Sequence, residues 1–272
     1  MGNLYHNNYK FHINQWIIKW HRNCFVCGSI RANQLGPRNC EVLTNMNNHL
    51  LNQTIGTIAC DIPGATRVFH DNRLDFCCAG NKSLSEALEH RKIVDPAPIL
   101  EALEKLIQDP SIASKDWRDA TKQDLIEHIL KRYHDKHRED LPELIRLARR
   151  VEQVHRDHSA CPAGLADHLT DMQQELESHM IKEEQVLFPM LRRVDPAQVP
   201  APVAMMRFEH DQHGQALERI DQLSADICEP ADACNTWRAL YAGLRQLRED
   251  LMQHIHLENN ILFEGHQEQH AA

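Results

Sequence analysis

The segments "HMIKEEQVLF" (His179 to Phe188) and "HIHLENNILF" (His254 to Phe263) both read H-x-x-x-E-x-x-x-L-F, and no third segment does. On an α-helix, residues four apart share a face with their β-carbons about 5–6 Å apart. His179 with Glu183, and His254 with Glu258, can therefore each offer an imidazole and a carboxylate to one centre. Upstream of each pair lies a second repeat: "YHDKHRE" carries His134, Asp135 and His137, and "EHDQHGQ" carries His210, Asp211 and His213. His134 precedes His179 by 45 residues and His210 precedes His254 by 44, so two helical hairpins of nearly equal length carry the same groups at the same depth. Packed antiparallel, the hairpins bring four histidines and two glutamates into a bundle interior, a set suited to two metal ions bridged by the carboxylates.

A single His/Glu pair at this spacing is ordinarily a solvated side-chain pair on a helix face. The duplication argues for ligation: a solvated pair has no reason to be followed twice by Leu-Phe and preceded twice by H-D-x-H. Leu187, Phe188, Leu262 and Phe263, one turn on, are expected to form an apolar floor that limits water. Glu184 lies about 100° around the helix from Glu183 and is assigned to the outside. His256, two residues from His254, is expected on the surface. Asp135, Asp211, His137 and His213 either orient the ligating imidazoles or are solvated. Imidazole and carboxylate ligands without thiolate favour iron or manganese over structural zinc, though ligand type alone does not exclude zinc.

The elements that must hold these residues are legible as long amphipathic segments after Thr121. Apolar positions recur every three or four residues in "DLIEHILKRYHDKHREDLPELIRLARRVEQV", "GLADHLTDMQQELESHMIKEEQVLFPMLRRV", "PVAMMRFEHDQHGQALERIDQLSADI" and "NTWRALYAGLRQLREDLMQHIHLENNILFE". Four such segments predict an all-α fold with a C-terminal four-helix bundle over residues 117–272. Pro142 is positioned to kink the first helix. Residues 46–112 read as a small helical domain: Pro63 in a first helical turn, a Ser83-x-x-Glu86 capping box, and a helix running from Asp95-Pro96 to Pro110. Residues 1–45 show neither a helical nor a strand period and read as an irregular extension. They contain a lone Cys24-x-x-Cys27 with no second pair to complete a zinc site. Met46, which opens the first patterned stretch, is the expected natural start.

The 272 residues carry 39 acidic against 30 basic side chains, a net charge of −9, with no basic stripe. That balance argues against nucleic acid or an anionic membrane as partner. No apolar run approaches the roughly 20 residues of a membrane span. Nine cysteines, odd in number and two of them adjacent, point to reduced thiols and a cytoplasmic location.

From about Gln53 onward, "IPGATRVFHDNRLDFCCAGNKSL", "RYHDKHRE", "SHMIKEEQVLFPM", "EHDQHG" and "HIHLENNILF" together resemble the hemerythrin-like di-iron family for iron–sulfur cluster repair (RIC/YtfE/ScdA/DnrN). The resemblance implies a hemerythrin-like bundle behind a small di-cysteine domain, and two iron ions in an oxo- and carboxylate-bridged centre. Its implied ligands are His134, His179, Glu183, His210, His254 and Glu258, the six that spacing had selected. It adds His155, in "VEQVHRD", as an additional histidine of interest. Ala79 and Glu264 depart from the family pattern, standing where glycine and proline are usual.

Cys77 and Cys78 close only a strained eight-membered ring when oxidised. They read instead as thiols that bind metal transiently, react with nitric oxide or exchange with another thiol. Cys60, Cys161, Cys228 and Cys234 read as structural or incidental. The resemblance implies repair of iron–sulfur clusters damaged by nitrosative or oxidative stress, with damaged iron–sulfur proteins and an electron donor as partners and the centre acting as iron donor or redox agent. Nitric oxide reduction, and binding or sensing of dioxygen or nitric oxide, are the alternatives at the same centre. A homodimer is compatible with the sequence.

Overall fold

A computed structural model describes residues 47–108 and 116–265. The site belongs to the compact unit Asn48–Ala272. The expectations for residues 1–45, including Cys24 and Cys27, lie outside the described residues. Among the described residues the regular structure is helical, with a single isolated antiparallel bridge between Thr54 and Ser83.

After a helical stretch over residues 47–52, four short helices follow in the N-terminal part: α1 (Ile55–Asp61), α2 (Ala65–Asp71), α3 (Leu84–His90) and α4 (Ala97–Gln108). Three of them begin where a side chain supplies a partner for the free amides of a first turn, and α2, which follows Gly64, has no such cap. Thr54 caps α1 by accepting from the Thr57 amide at 3.2 Å. The Ser83/Glu86 box is closed in both directions, with the Ser83 amide donating to Glu86 at 2.8 Å and the Glu86 amide donating to Ser83 at 3.3 Å. Asp95 accepts from the Ala97 amide at the head of α4. The expectation for Pro63 is corrected: α2 starts later, at Ala65, because Gly64 takes a left-handed φ of 89° that breaks the helix between the two.

The bundle comprises α5 (Lys122–Ile129) continuing into α6 (Asp135–Val154), α7 (Leu165–Lys182) continuing into α8 (Phe188–Leu191), α9 (Pro200–Leu223), and α10 (Asn235–Leu257). Thr121 caps α5, Gly164 turns the chain into α7 at φ 88°, and Pro200 occupies the first turn of α9, where its missing amide costs nothing. Helix α6 runs unbroken through Pro142. Three π-turns interrupt the bundle helices: Leu130–His134, Glu183–Leu187 and Glu258–Leu262. In each the amide after the turn reaches back five residues, as from Phe263 to the Glu258 carbonyl at 2.8 Å. Single π-turns in helices concentrate at functional positions, and each of these begins or ends on one of the six residues selected from the sequence.

The apolar core is split. One cluster joins the small domain to one end of the bundle, through residues such as Ile55, Phe69, Phe76, Leu176, Leu244 and Trp237. The other fills the opposite end, with Ile129, Leu187, Phe188, Leu257, Leu262 and Phe263. Along α7, Leu176 and Met180 belong to the first cluster and Leu187 to the second, and His179 and Glu183 fall at the boundary. Along α10 and its π-turn, Leu251 and Ile255 stand against Leu257 and Leu262 in the same way, with His254 and Glu258 at the boundary. A belt of buried polar side chains therefore crosses the bundle.

Candidate metal centre

His134, His179, Glu183, His210, His254 and Glu258 converge in that belt, none more than 1% exposed. They form two overlapping groups of four, one with His134 and His254 and the other with His179 and His210; both glutamates belong to both. Glu183 sends Oε2 to within 3.4 Å of His134 Nε2 and Oε1 to within 3.3 Å of His179 Nε2. Glu258 sends Oε1 to 3.2 Å from His254 Nε2 and Oε2 to 3.1 Å from His210 Nε2. Each carboxylate thus spans two imidazole groups, as a bridge between two ions requires.

Charge and hydrogen bonding fit metal ions. Both Glu183 oxygens and Glu258 Oε2 are buried and accept no hydrogen bond despite these short approaches. A buried carboxylate without compensation is costly. Burial pushes the Glu183 carboxyl up, but His179 and His134 outweigh it and hold the group well below the usual carboxylate range. Burial and Glu183 both raise Glu258, and His254 and His210 bring it down. Conversely, burial opposes charge on His179, yet Glu183 draws its imidazole up to about 9. Two retained negative charges in a closed interior call for cations, and the buried His/Glu groups fit a metal site.

Four Nε2 atoms face the centre, and three of the four Nδ1 atoms have partners outside it. His134 Nδ1 donates to Glu184 at 2.8 Å, His179 Nδ1 to Glu209 at 2.9 Å, and His210 Nδ1 to Asn259 Oδ1 at 2.9 Å. These bonds fix the tautomer and ring orientation that ligation through Nε2 needs. His254 Nδ1 has no partner; Tyr133 instead stacks on its ring at 5.4 Å with an interplanar angle of 2°. The two halves match even here. Glu184 and Asn259 each follow one of the two shared glutamates, and Glu209 and Tyr133 each precede one of the four clustered histidines. Glu184 does lie outside the cluster, half-buried, where Arg138 holds it at 2.9 Å.

The repeated Leu-Phe acquires a role. Phe188 stacks on His134 at 5.7 Å and Phe263 on His210 at 5.9 Å, and both leucines are buried. Each phenylalanine closes the side of an imidazole supplied by another helix.

Two expectations are corrected. His256 is 2% exposed, because the small domain covers that face of α10: Phe76 meets the His256 ring edge-on at 5.5 Å. Burial pushes its pKa down to about 4, and its Nδ1 accepts from Asn260 at 2.9 Å. His155 caps α6 at the far end of the bundle, its Nε2 3.2 Å from Cys234 Sγ and its ring 5.0 Å from Trp237. Twenty-one helical residues from His134 amount to about 30 Å, so His155 is not brought to the cluster.

The H-D-x-H segments divide. Asp135 and Asp211 are exposed, whereas His137 and His213 are buried beside the cluster, 5.4 Å from His254 and 4.9 Å from His179 between ring centroids. His137 Nε2 and both His213 nitrogens lack protein partners. Burial pushes His213 down to about 3, so its ring is neutral. A groove of about 590 Å³ between α6 and α7 reaches His137 from outside.

Sequence reasoning missed the way the small domain is tied to this centre. Asn259 Nδ2 donates to the Cys77 carbonyl at 3.0 Å while its Oδ1 holds His210, and Asn260 Nδ2 donates to the Phe76 carbonyl at 2.9 Å. Cys78 Sγ donates to the His210 carbonyl at 3.2 Å. Cys77 is buried and Cys78 half-buried. The dipeptide Asn259-Asn260 directly follows Glu258, which is the one signal that could have marked it.

A four-helix bundle that closes over paired imidazoles and shared carboxylates defines a hemerythrin-type metal-binding protein. Residues 125–264 match the hemerythrin HHE cation binding domain, and residues 51–107 match the ScdA_N domain, a domain of unknown function. The iron–sulfur cluster repair protein YtfE of Pectobacterium atrosepticum is 48% identical over 213 residues, 78% of this chain and 95% of the relative. That of Musicola paradisiaca is 47% identical over 215 residues, 79% and 96%, and that of Yersinia pseudotuberculosis is 46% identical over 212 residues, 78% and 95%. The chain belongs to the hemerythrin-like iron–sulfur cluster repair family.

Proposed function

We propose that this protein restores iron–sulfur clusters damaged by nitrosative or oxidative stress, using a pair of iron ions held by His134, His179, His210, His254 and the bridging Glu183 and Glu258. The observation that carries the reading is that each carboxylate faces two imidazole groups at once. Bound there, two iron ions would supply one-electron redox change and exchangeable metal. The chain's own residues do the rest: Glu184, Glu209 and Asn259 orient imidazoles, while Phe188 and Phe263 exclude water. The same centre serves as iron donor or redox agent toward damaged iron–sulfur proteins, drawing on a cellular electron donor in the cytoplasm. No helix of the described residues is long and apolar enough to cross a membrane.

A second reading, binding or reduction of nitric oxide or binding of dioxygen, is favoured by neutral His213 and by the unpartnered Nε2 of His137 beside the centre. Such groups accept or donate a hydrogen bond to a small ligand.

The test is anaerobic purification with metal counting and Mössbauer spectroscopy before and after nitric oxide, followed by reactivation of a nitric-oxide-damaged [4Fe–4S] hydratase. Two irons per chain and reactivation are expected, with both lost in Glu183→Leu and Glu258→Leu. Undiminished reactivation by those variants overturns the repair reading, and repeated turnover of nitric oxide with an electron donor favours the second.

A further inference from the structure

A second cluster of ligating side chains lies on the loop between α2 and α3. Asp75 Oδ1 is 3.2 Å from Cys77 Sγ, which is 3.7 Å from Cys78 Sγ. The Cys78 amide donates to the same Asp75 oxygen at 2.9 Å, which fixes the carboxylate over the thiol pair. Two thiolates bound at about 2.3 Å to one tetrahedral ion are separated by about 3.8 Å, so the sulfurs already stand at the edge length of such a site. The three ligand atoms line a cavity of about 500 Å³ that opens toward Asp211 and Gly214 of α9. At Gly214 a β-carbon would stand 3.4 Å from Cys78 Sγ.

From this geometry we infer that Asp75, Cys77 and Cys78 form a mononuclear site for one exchangeable divalent metal ion of borderline softness, separate from the buried His/Glu centre. Thiolate with carboxylate suits iron(II), zinc or cobalt(II). As each metal–sulfur bond forms, the corresponding Sγ–H proton passes to solvent. In the metal-free state the Cys78 thiol, burial and Asp75 together push the Cys77 thiol well above the usual range, because a second negative charge there is opposed. A divalent cation removes that opposition. The proposed function bears only on the ion's identity in the cell, which would be iron(II).

The full-length, iron-loaded protein is titrated anaerobically with cobalt(II) while near-ultraviolet thiolate-to-cobalt charge transfer is followed. Imidazole and carboxylate ligands give no such band. One equivalent is expected to produce it in the wild type and in Cys24→Ser/Cys27→Ser. The band disappears in Cys77→Ser/Cys78→Ser. Asp75→Asn keeps the amide contact but loses the charge, and it requires roughly tenfold more cobalt. Should the double cysteine variant unfold, Cys78→Ser alone, at the half-buried position, replaces it and weakens binding at least as much. Absence of the band in the wild type, or its persistence in Cys77→Ser/Cys78→Ser, overturns the inference. Iron counted in the same samples reports the His/Glu centre independently, so failure of one site is told apart from failure of the other.

Discussion

Replacing Asn259 by leucine removes two buried hydrogen bonds at once, the acceptor for His210 Nδ1 at 2.9 Å and the donor to the Cys77 carbonyl at 3.0 Å. Asn259 is 3% exposed, so water cannot substitute without opening the structure. Each buried group left unpaired costs about 1–3 kcal/mol. The two together cost at least about 2 kcal/mol, which lowers Tm by about 4–8 °C for a domain of this size. Loss of the partner that orients a ligating imidazole also weakens metal affinity by about 10–100-fold. Asn259→Asp separates the two effects: its oxygen still accepts from His210, while the bond to Cys77 is lost. Iron retained against a chelator series, with thermal melts of the metal-free and loaded forms, measures both. The expected order of iron affinity is Asn259→Asp at or near wild type and Asn259→Leu well below. Iron retention by Asn259→Leu within twofold of wild type would refute the assignment of Asn259 as the residue that orients His210.

Gly56→Ala places a β-carbon 2.8 Å from the Gly80 carbonyl oxygen and 2.9 Å from Asn260 Oδ1; overpacking of this kind costs about 1–3 kcal/mol, read as a lowered Tm with iron content preserved. Cys60 has its thiol pushed up to about 11 by burial, and because the thiolate is the nucleophile, the group stays protonated and unreactive until pH rises toward that value. Mass-mapped alkylation at pH 8 therefore modifies exposed Cys228 while Cys60 remains intact, and Cys60 labelling grows as pH approaches 11.

The six converging side chains were legible because helical spacing is local: i to i+4 places His179 beside Glu183 whatever else the chain does, and the duplication set the second hairpin in the same register. The helical class and the capping box at Ser83 were legible for the same reason. The environment of His256 depends on a domain nearly 180 residues earlier in the chain, and no periodicity within α10 reports that Phe76 will cover it. His137 and His213 were left open because i+3 from a ligand is compatible with an inward or a tangential ring, and only the packing decides. The π-turns have no composition signal, since residues 258–262 read as ordinary helix. His155 was suggested by likeness alone; helix length carries it to the opposite end.

The seal between Phe76, Asn260 and His256 means that the two family modules of this chain are not freely separable. A bundle expressed alone would present an uncapped aromatic socket and two carboxamide side chains to solvent, and His256, once wetted, would be free to take up a proton near neutrality. Supplied in trans, residues 47–108 carry the complementary carbonyls and ring, so their rebinding to the bundle is the expected outcome, to be followed by fluorescence complementation.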